Sequence, residues 1–201
     1  MKAIIQRVTK ASVTGKTVFY DVIYISPVPV GDELVSSIGK GLCVLVGISR
    51  KDSPAETEYM VRKILNLRIF DDDDGKRWSK SVMDKQYEVL CVSQFTLNMI
   101  LKGNKPDFHD AMGPELSEQF YENFLQQMRE AYAPEKIKDG KFGAMMQVYI
   151  QNDGPVTIPL ETPSHLQDKK PNTKRNSDKN ANSNSGSSSE QTASSMEGAS
   201  A

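Results

Sequence analysis

Apolar and polar positions change rhythm several times along the chain, and each rhythm predicts an element. Residues 3–8 are short, apolar and β-branched, and residues 11–14 resume the pattern after a Thr9-Lys10 turn. Gly41-Leu-Cys-Val-Leu-Val-Gly-Ile48 is an unbroken apolar run bounded by glycines, as in a strand buried on both faces. Ser53-Pro-Ala-Glu56 combines a capping box with proline at the first helical position. Behind it Met60, Ile64 and Leu67 recur at helical spacing, which predicts a helix over 54–66. Residues 67–70 read as extended and 71–75 as a turn. Residues 87–95 predict another buried strand, ending in a polar cluster. Pro114 opens a second helix, with Leu116, Phe120, Phe124 and Met128 on one stripe at four-residue steps. Residues 141–151 and 156–160 predict two closing strands joined by Asn152-Asp-Gly-Pro155. Runs of strands with two separated helices, and no alternating strand–helix rhythm, predict an α+β domain. Its sheet is curved, barrel-like and mostly antiparallel, with both helices packed on it.

Composition divides the chain. Residues 162–201 hold ten Ser and five Asn, with no aromatic, Val or Ile. Ordering them would cost about 1–2 kcal/mol per residue with almost no burial in return. The expected organisation is therefore one domain at 1–161 and a disordered polar tail at 162–201. Net charge is −1, so no global field draws the chain toward nucleic acid or anionic membrane, and an RNA contact needs a local patch. No apolar run reaches bilayer-spanning length. The N-terminus meets charge early and has no signal-like apolar stretch, so an intracellular, cytoplasmic protein is expected. Cys43 and Cys91 sit inside apolar strand-like runs and read as reduced core thiols.

Two spots carry candidate chemistry. Ser93-Gln-Phe-Thr-Leu97 closes a buried strand; strand alternation would send Ser93 and Phe95 one way, Gln94 and Thr96 the other. Two hydroxyls and an amide there suit either a polar substrate or the capping of loose backbone groups. Gly154-Pro155 lies between two predicted strands, where Gly-Pro ordinarily marks a tight turn. A cis bond would fix its carbonyls unusually, but only about 5–6% of X–Pro bonds are cis. Four consecutive aspartates, 71–74, lack the alternate ligands, central Gly and distal Glu of a calcium loop and read as a solvated turn. No zinc spacing, nucleophile elbow, phosphate loop or dinucleotide fingerprint is present, and no metal or cofactor is expected. His109 has no serine or cysteine nucleophile tied to it by any motif.

Four segments in order resemble the D-aminoacyl-tRNA deacylases, long called D-tyrosyl-tRNA deacylases. They are residues 1–14, Ser93-Gln-Phe-Thr-Leu97, Lys102-Gly-Asn-Lys-Pro-Asp-Phe108 and Asn152-Asp-Gly-Pro-Val-Thr157, and the likeness is greatest to the animal type. The resemblance implies a homodimer that hydrolyses the ester joining a D-amino acid, or glycine, to the terminal adenosine of tRNA. It implies that Gly154-Pro155 is cis and enters the neighbouring subunit's pocket, excluding an L side chain, with Arg7 steadying it. It places Ser93, Gln94, Phe95 and Thr96 on the catalytic side. There main-chain N–H groups near Phe95 and Thr96 would stabilise the oxyanion and the ribose 2′-OH would assist. Thr96 has no base beside it, so a positioning role is expected. Met145 and Met146 match the stretch flanking the adenosine pocket, and Lys102 and Lys105 suit phosphate contacts.

One departure separates the chain from that pattern. Residues 15–29 intervene before Val30-Gly-Asp-Glu33 and are mostly β-prone and apolar. A hairpin extension or flap is expected, ended by Ser26-Pro-Val-Pro29, which should forbid continued pairing. Two other functions compete with chiral proofreading. Some vertebrate relatives with polar tails are linked to DNA-unwinding elements, and Lys169-Lys170, Lys174-Arg175 and Lys179 give this tail a weak basic cluster, hence DNA as a second partner and the nucleus as a second location. A sister deacylase clears L-alanine from tRNA with a trans Gly-Pro; intact residues 93–96 argue against it, and the Pro155 peptide discriminates.

Overall fold

The computed structural model describes residues 1–20 and 27–164. Its frame is one long first strand, β1 (Lys2–Tyr20). Along one edge β1 pairs first with β3 (Gly41–Gly47) and then with β2 (Pro27–Ile38). Along the other edge it takes β8 (Met146–Glu161), from Lys2 as far as Gly15. These three pairings are antiparallel. β3 then pairs in parallel with β4 (Glu88–Ser93), and β4 with β7 (Ile137–Asp139). Ser36 on β2 donates its hydroxyl to the Asp139 carbonyl at 2.6 Å, drawing the ends of the sheet together into a nearly closed barrel. A separate small hairpin joins β5 (Ile100–Lys102) to β6 (Lys105–Asp107).

The barrel-like α+β expectation is met, with one adjustment: the β3–β4–β7 half is parallel. Each helix is the crossover such pairing requires. α1 (Pro54–Asn66) links β3 to β4, and α2 (Pro114–Ala131) links β4 to β7. Long irregular stretches beside the helices conceal that rhythm in the sequence. Residues 1–14 form one strand rather than two, because residues 9–10 make a register shift against β8 instead of a turn.

α1 begins where the capping residues place it, with the Glu56 carboxylate accepting the Ser53 N–H at 2.8 Å and its hydroxyl at 2.6 Å. In α2 the buried face is Ser117, Tyr121, Phe124, Leu125 and Met128, while Leu116 is exposed. The expected stripe is thus correct only toward its end. A four-residue step overshoots a turn by about 40°, so Leu116 lies about 120° around the helix from Met128. Both helices cover one face of the sheet, packing Met60, Ile64, Phe124 and Met128 against Ile5, Leu42 and Val44. A second cluster fills the barrel with Val8, Val13, Ile38, Cys43, Leu90 and Val92.

Where β8 ends at Gly15, the insertion carries β1 and β2 onward as a two-stranded ribbon, with Val18 opposite Pro29 and Tyr20 opposite Pro27. The prolines therefore do not stop pairing as expected. An antiparallel strand with a single partner needs only alternate N–H groups, and Pro27 and Pro29 share one parity. Residues 21–26 of the β-prone segment and residues 165–201 of the expected tail lie outside the described residues. The chain's two ends of the fold are tied: the Met1 ammonium donates to Asp52 at 2.5 Å and to the Thr162 hydroxyl at 2.7 Å. Burial pushes the Asp52 carboxyl above its ordinary value, opposed by that ammonium. Among the described residues no helix is long and apolar enough to cross a membrane.

Candidate functional site

β4 ends at Ser93, where the Gln94 N–H donates to the Val46 carbonyl at 2.7 Å, and the chain then closes into a 3-10 turn (Phe95–Asn98). The expected alternation of side chains through Thr96 therefore stops at Ser93. The turn is possible because β3 ends in Gly47: a Cβ there would lie 2.7 Å from the Leu97 Cβ. Phe95 and Thr96 are the first two residues of the turn, where backbone N–H groups have no partner within the helix. The Gln94 amide donates to the Thr96 hydroxyl oxygen at 2.5 Å, leaving the hydroxyl proton free to be donated outward. Phe95 is exposed and meets Phe108 edge-to-face at 5.1 Å between ring centroids. Beneath them Asn98 is buried with no hydrogen-bond partner for its Nδ2.

The neighbouring hairpin carries Lys102 and Lys105, both exposed. Lys102 is ion-paired with Asp107. That contact, together with the His109 backbone N–H at 2.9 Å and the His109 ring at 2.6 Å, holds the Asp107 carboxyl far below the usual carboxylate range. His109 is thus engaged by a carboxylate two residues away, consistent with the absence of a nucleophile motif around it. Met145 is almost fully exposed, whereas Met146 packs toward Gly140 and accepts the Lys141 N–H on sulfur at 3.2 Å. The two methionines therefore do not share a surface.

Gly154 and Pro155 do not form the expected turn between two strands. β8 is continuous, and residues 153–155 bulge out of register, since Val8 faces Asn152 while Arg7 faces Val156. Gly154 has φ +105, a conformation that suits glycine. The Gly154–Pro155 peptide is trans, which corrects the cis expectation. An X–Pro bond prefers trans by about 0.5–1 kcal/mol. Arg7 does brace the bulge: Nε donates to the Asp153 carbonyl at 3.1 Å and Nη1 to the Ile69 carbonyl at 2.7 Å. Nε also lies 3.3 Å from the Asp153 carboxylate. A Cβ on Gly154 would come within 2.9 Å of Arg7 Nη2.

Beside the bulge lies a groove of about 540 Å³, lined by Arg7, Asp71, Arg77, Trp78 and β8 from Gly154 to Ile158. Sequence reasoning missed Arg77 and Trp78, although the chain's only tryptophan in a charged loop was a visible signal. Asp72 accepts the N–H groups of Asp74 and Lys76, and Asp73 pairs with Lys85 at 2.7 Å, so the aspartate run organises a loop. Among the described residues no cluster of three His, Cys, Asp or Glu side chains is placed to hold a metal.

One chain does not bring the two spots together. Ser93 pairs at the level of Val46, which faces Ala3, whereas the bulge lies at Arg7, and three strand spacings separate β8 from β4. At about 3.3 Å per residue and about 4.8 Å per strand, they stand roughly 20 Å apart along the sheet.

A family described as D-Tyr-tRNA(Tyr) deacylase matches residues 4–161. The bovine protein named D-aminoacyl-tRNA deacylase 1 is 64% identical over 164 residues, covering 82% of this chain and 71% of that protein. A solved structure titled c-Myc DNA Unwinding Element Binding Protein is 63% identical, with a TM-score of 0.72 over 82% of this chain and all of that one. A second, of a probable eukaryotic D-amino acid tRNA deacylase, shares the fold at a TM-score of 0.60 and 16% identity, over 79% of this chain and 97% of that one.

Proposed function

This chain belongs to the D-Tyr-tRNA(Tyr) deacylase family and hydrolyses D-aminoacyl-tRNA, and we propose that the turn at residues 93–98 is its reactive element. The carrying observation is that turn: two free N–H groups beside an exposed hydroxyl whose oxygen Gln94 holds. The ester carbonyl oxygen sits on the Phe95 and Thr96 N–H groups, which strengthen their bonds as charge develops on it. Water adds to the carbonyl carbon, the bond to the ribose 3′ oxygen breaks, and that oxygen leaves with a proton relayed by the neighbouring 2′-OH. Thr96 orients the ester or the water. It does not attack, because no base is tied to it. Phe95 and Met145 offer exposed apolar surface to the adenosine, and Lys105 a charge to the phosphates; Lys102 shares its charge with Asp107.

Selection is assigned to the main chain of Gly154–Pro155. In one chain the bulge and the turn lie roughly 20 Å apart along the sheet, which supports a homodimer in which each copy presents its bulge to the other's turn. β8, with a free edge beyond β1, provides a surface for that pairing. Glycyl-tRNA fits the same reading, since glycine has no side chain to exclude. The trans peptide favours one rival, removal of L-alanine; the sequence at 93–96 and relatives at 63–64% identity weigh against it.

A substrate panel tests all of this: D-Tyr-, Gly-, L-Ala- and L-Tyr-tRNA, each at several enzyme concentrations. Hydrolysis of the first two, with a rate per chain that falls on dilution, is the expected result. Preference for L-Ala-tRNA overturns the assignment, and a rate per chain independent of dilution overturns the dimer.

A second activity draws on the name of the 63%-identical DNA-unwinding-element relative. DNA binding through the basic tail would place a share of the protein in the nucleus beside a cytoplasmic pool. Thr162 is buried and donates its N–H to Met1, so the test removes residues 165–201 only. A salt-sensitive DNA shift lost with the tail supports this activity; a shift retained without it refutes it.

A further inference from the structure

The groove beside the bulge contains a feature that neither hydrolysis nor chiral selection uses. Trp78, the only tryptophan, is 54% exposed. A residue with this much apolar surface is ordinarily drawn into a core, and the core packs without it. Its backbone is equally unusual. Trp78 has φ +57, in the left-handed region that bulky side chains avoid. Such conformations persist where surrounding contacts over-determine them. Here Ser79 and Lys80 both donate their N–H groups to the Phe70 carbonyl at 3.0 Å, and the Ser79 hydroxyl bonds the Lys76 carbonyl at 2.9 Å. Asp72 closes the other side of the loop through Asp74 and Lys76. The loop therefore holds the indole at the surface.

The surroundings identify what the ring faces. The groove of about 540 Å³ is lined by two guanidinium groups and one carboxylate, Arg7, Arg77 and Asp71. Arg7 is spent on Ile69 and Asp153, whereas Arg77 is exposed and forms no ion pair among the described residues. Across from the ring run Gly154 to Ile158, where residues 153–155 leave main-chain groups unpaired with β1. An isolated aromatic face, a free planar cation and open backbone groups match an unstacked nucleotide: the base stacks, the phosphate meets the guanidinium, and the backbone groups read the base edge or sugar. A protein partner would be better served by a contiguous apolar patch; Trp78 has charged or polar residues at 76, 77, 79 and 80 instead.

We infer that Trp78 and Arg77 form a stacking platform for an unpaired nucleotide of the tRNA substrate, next to the Gly154–Pro155 bulge. This rests on the tRNA-substrate assignment above and adds a binding determinant to it. The single tryptophan makes the wild-type chain its own reporter. Titration with uncharged tRNA should quench indole emission saturably, with a midpoint independent of protein concentration, and tRNA stripped of its single-stranded 3′ end should quench less. Trp78→Ala should raise KM for D-Tyr-tRNA by about 5- to 100-fold, more than it lowers kcat, with Trp78→Phe recovering part of the loss. Arg77→Gln should flatten the salt dependence of tRNA binding. Emission that responds to protein concentration but not to tRNA would mean that a second copy covers the ring, and would overturn the platform. An unchanged KM in folded Trp78→Ala would do the same. If wild type failed to hydrolyse D-Tyr-tRNA while tRNA still quenched the indole, the deacylase assignment would fall and the platform would survive.

Discussion

Gly47→Ala isolates the link between the sheet and the turn proposed as the reactive element. Gly47 is the last residue of β3, and a Cβ placed on it would meet three atoms, all from the turn that follows β4. They are the Leu97 Cβ at 2.7 Å, the Gln94 carbonyl oxygen at 3.1 Å and the Asn98 Nδ2 at 3.2 Å. Carbon atoms in ordinary contact stand about 3.5–4.0 Å apart, so the turn must retreat by roughly 1 Å. Overpacking of this size costs about 1–3 kcal/mol of stability. Catalysis should suffer more visibly, because the retreating atoms carry the Phe95 and Thr96 N–H groups. A displacement of about 1 Å in a positioned group is worth about 100-fold in rate.

The assay pairs single-turnover hydrolysis of D-Tyr-tRNA with urea unfolding of the same preparation. Gly47→Ala should remain folded, lose at most about 3 kcal/mol, and hydrolyse about 100-fold more slowly. Gly39→Ala is the control, since its nearest neighbour is the Glu88 carboxylate oxygen at 3.6 Å, an ordinary contact. That variant should keep both rate and stability, within about 0.5 kcal/mol. A folded Gly47→Ala chain with wild-type rate would refute the claim that the turn's placement against β3 sets the chemistry.

Other outcomes follow from the same geometry. Thr96→Ala should slow hydrolysis about 3- to 10-fold, the worth of one hydrogen bond; loss to the uncatalysed rate with a trapped acyl-threonine would show covalent catalysis. Deleting residues 15–29 should leave folding and hydrolysis intact, because Thr14 already pairs with Leu34 and residues 30–33 then close a four-residue hairpin. Unfolding of that deletion would mean that the ribbon belongs to the core. Burial pushes the Cys43 thiol up to about 11 and the Cys91 thiol higher still, so neither should react with a thiol reagent at pH 8 before denaturation. The folded state favours the neutral thiols, so stability should fall as pH rises above about 8.5, where the unfolded chain begins to ionise. The slope is about 1.4 kcal/mol per pH unit for each thiol, and the Cys43 share ends near its folded value of about 11, read by urea midpoints across the range. A flat profile would contradict the burial.

Local signals were legible where one residue dictates one geometry. Pro54 and Glu56 after Ser53 place the start of α1, and the glycine-bounded run 41–48 reads directly as a doubly buried strand. Signals that depend on distant partners were not legible. Nothing local to residues 152–155 distinguishes a hairpin turn from a bulge; the difference is made by β1, which continues past Arg7 and keeps β8 straight. The turn at 95–98 likewise depends on a glycine almost fifty positions earlier. Within α2 a period of four carries the apolar stripe through Leu116, whereas the true helical period turns that residue outward. Of the candidate site, the residue pattern marked 93–97 and Gly154-Pro155, the resemblance added Arg7, and both passed over Trp78 because an exposed aromatic carries no periodicity.

Arg7 explains how the bulge proposed as the selective element is held without a second layer of side chains. One guanidinium bonds the carbonyl of Ile69, a core residue, and the carbonyl of Asp153, on the bulge. The bulge is thereby fixed to the core through a side chain that is itself largely covered. Gly154 cannot be replaced without cost on two counts: its φ is +105, and any Cβ meets Arg7 at 2.9 Å. The surface that the bulge offers is consequently backbone, which changes of side chain elsewhere do not alter. Along the sheet the bulge lies roughly 20 Å from the turn of its own chain. If the bulge is the selector, as proposed, its rigid attachment to the core means that it acts on a second copy.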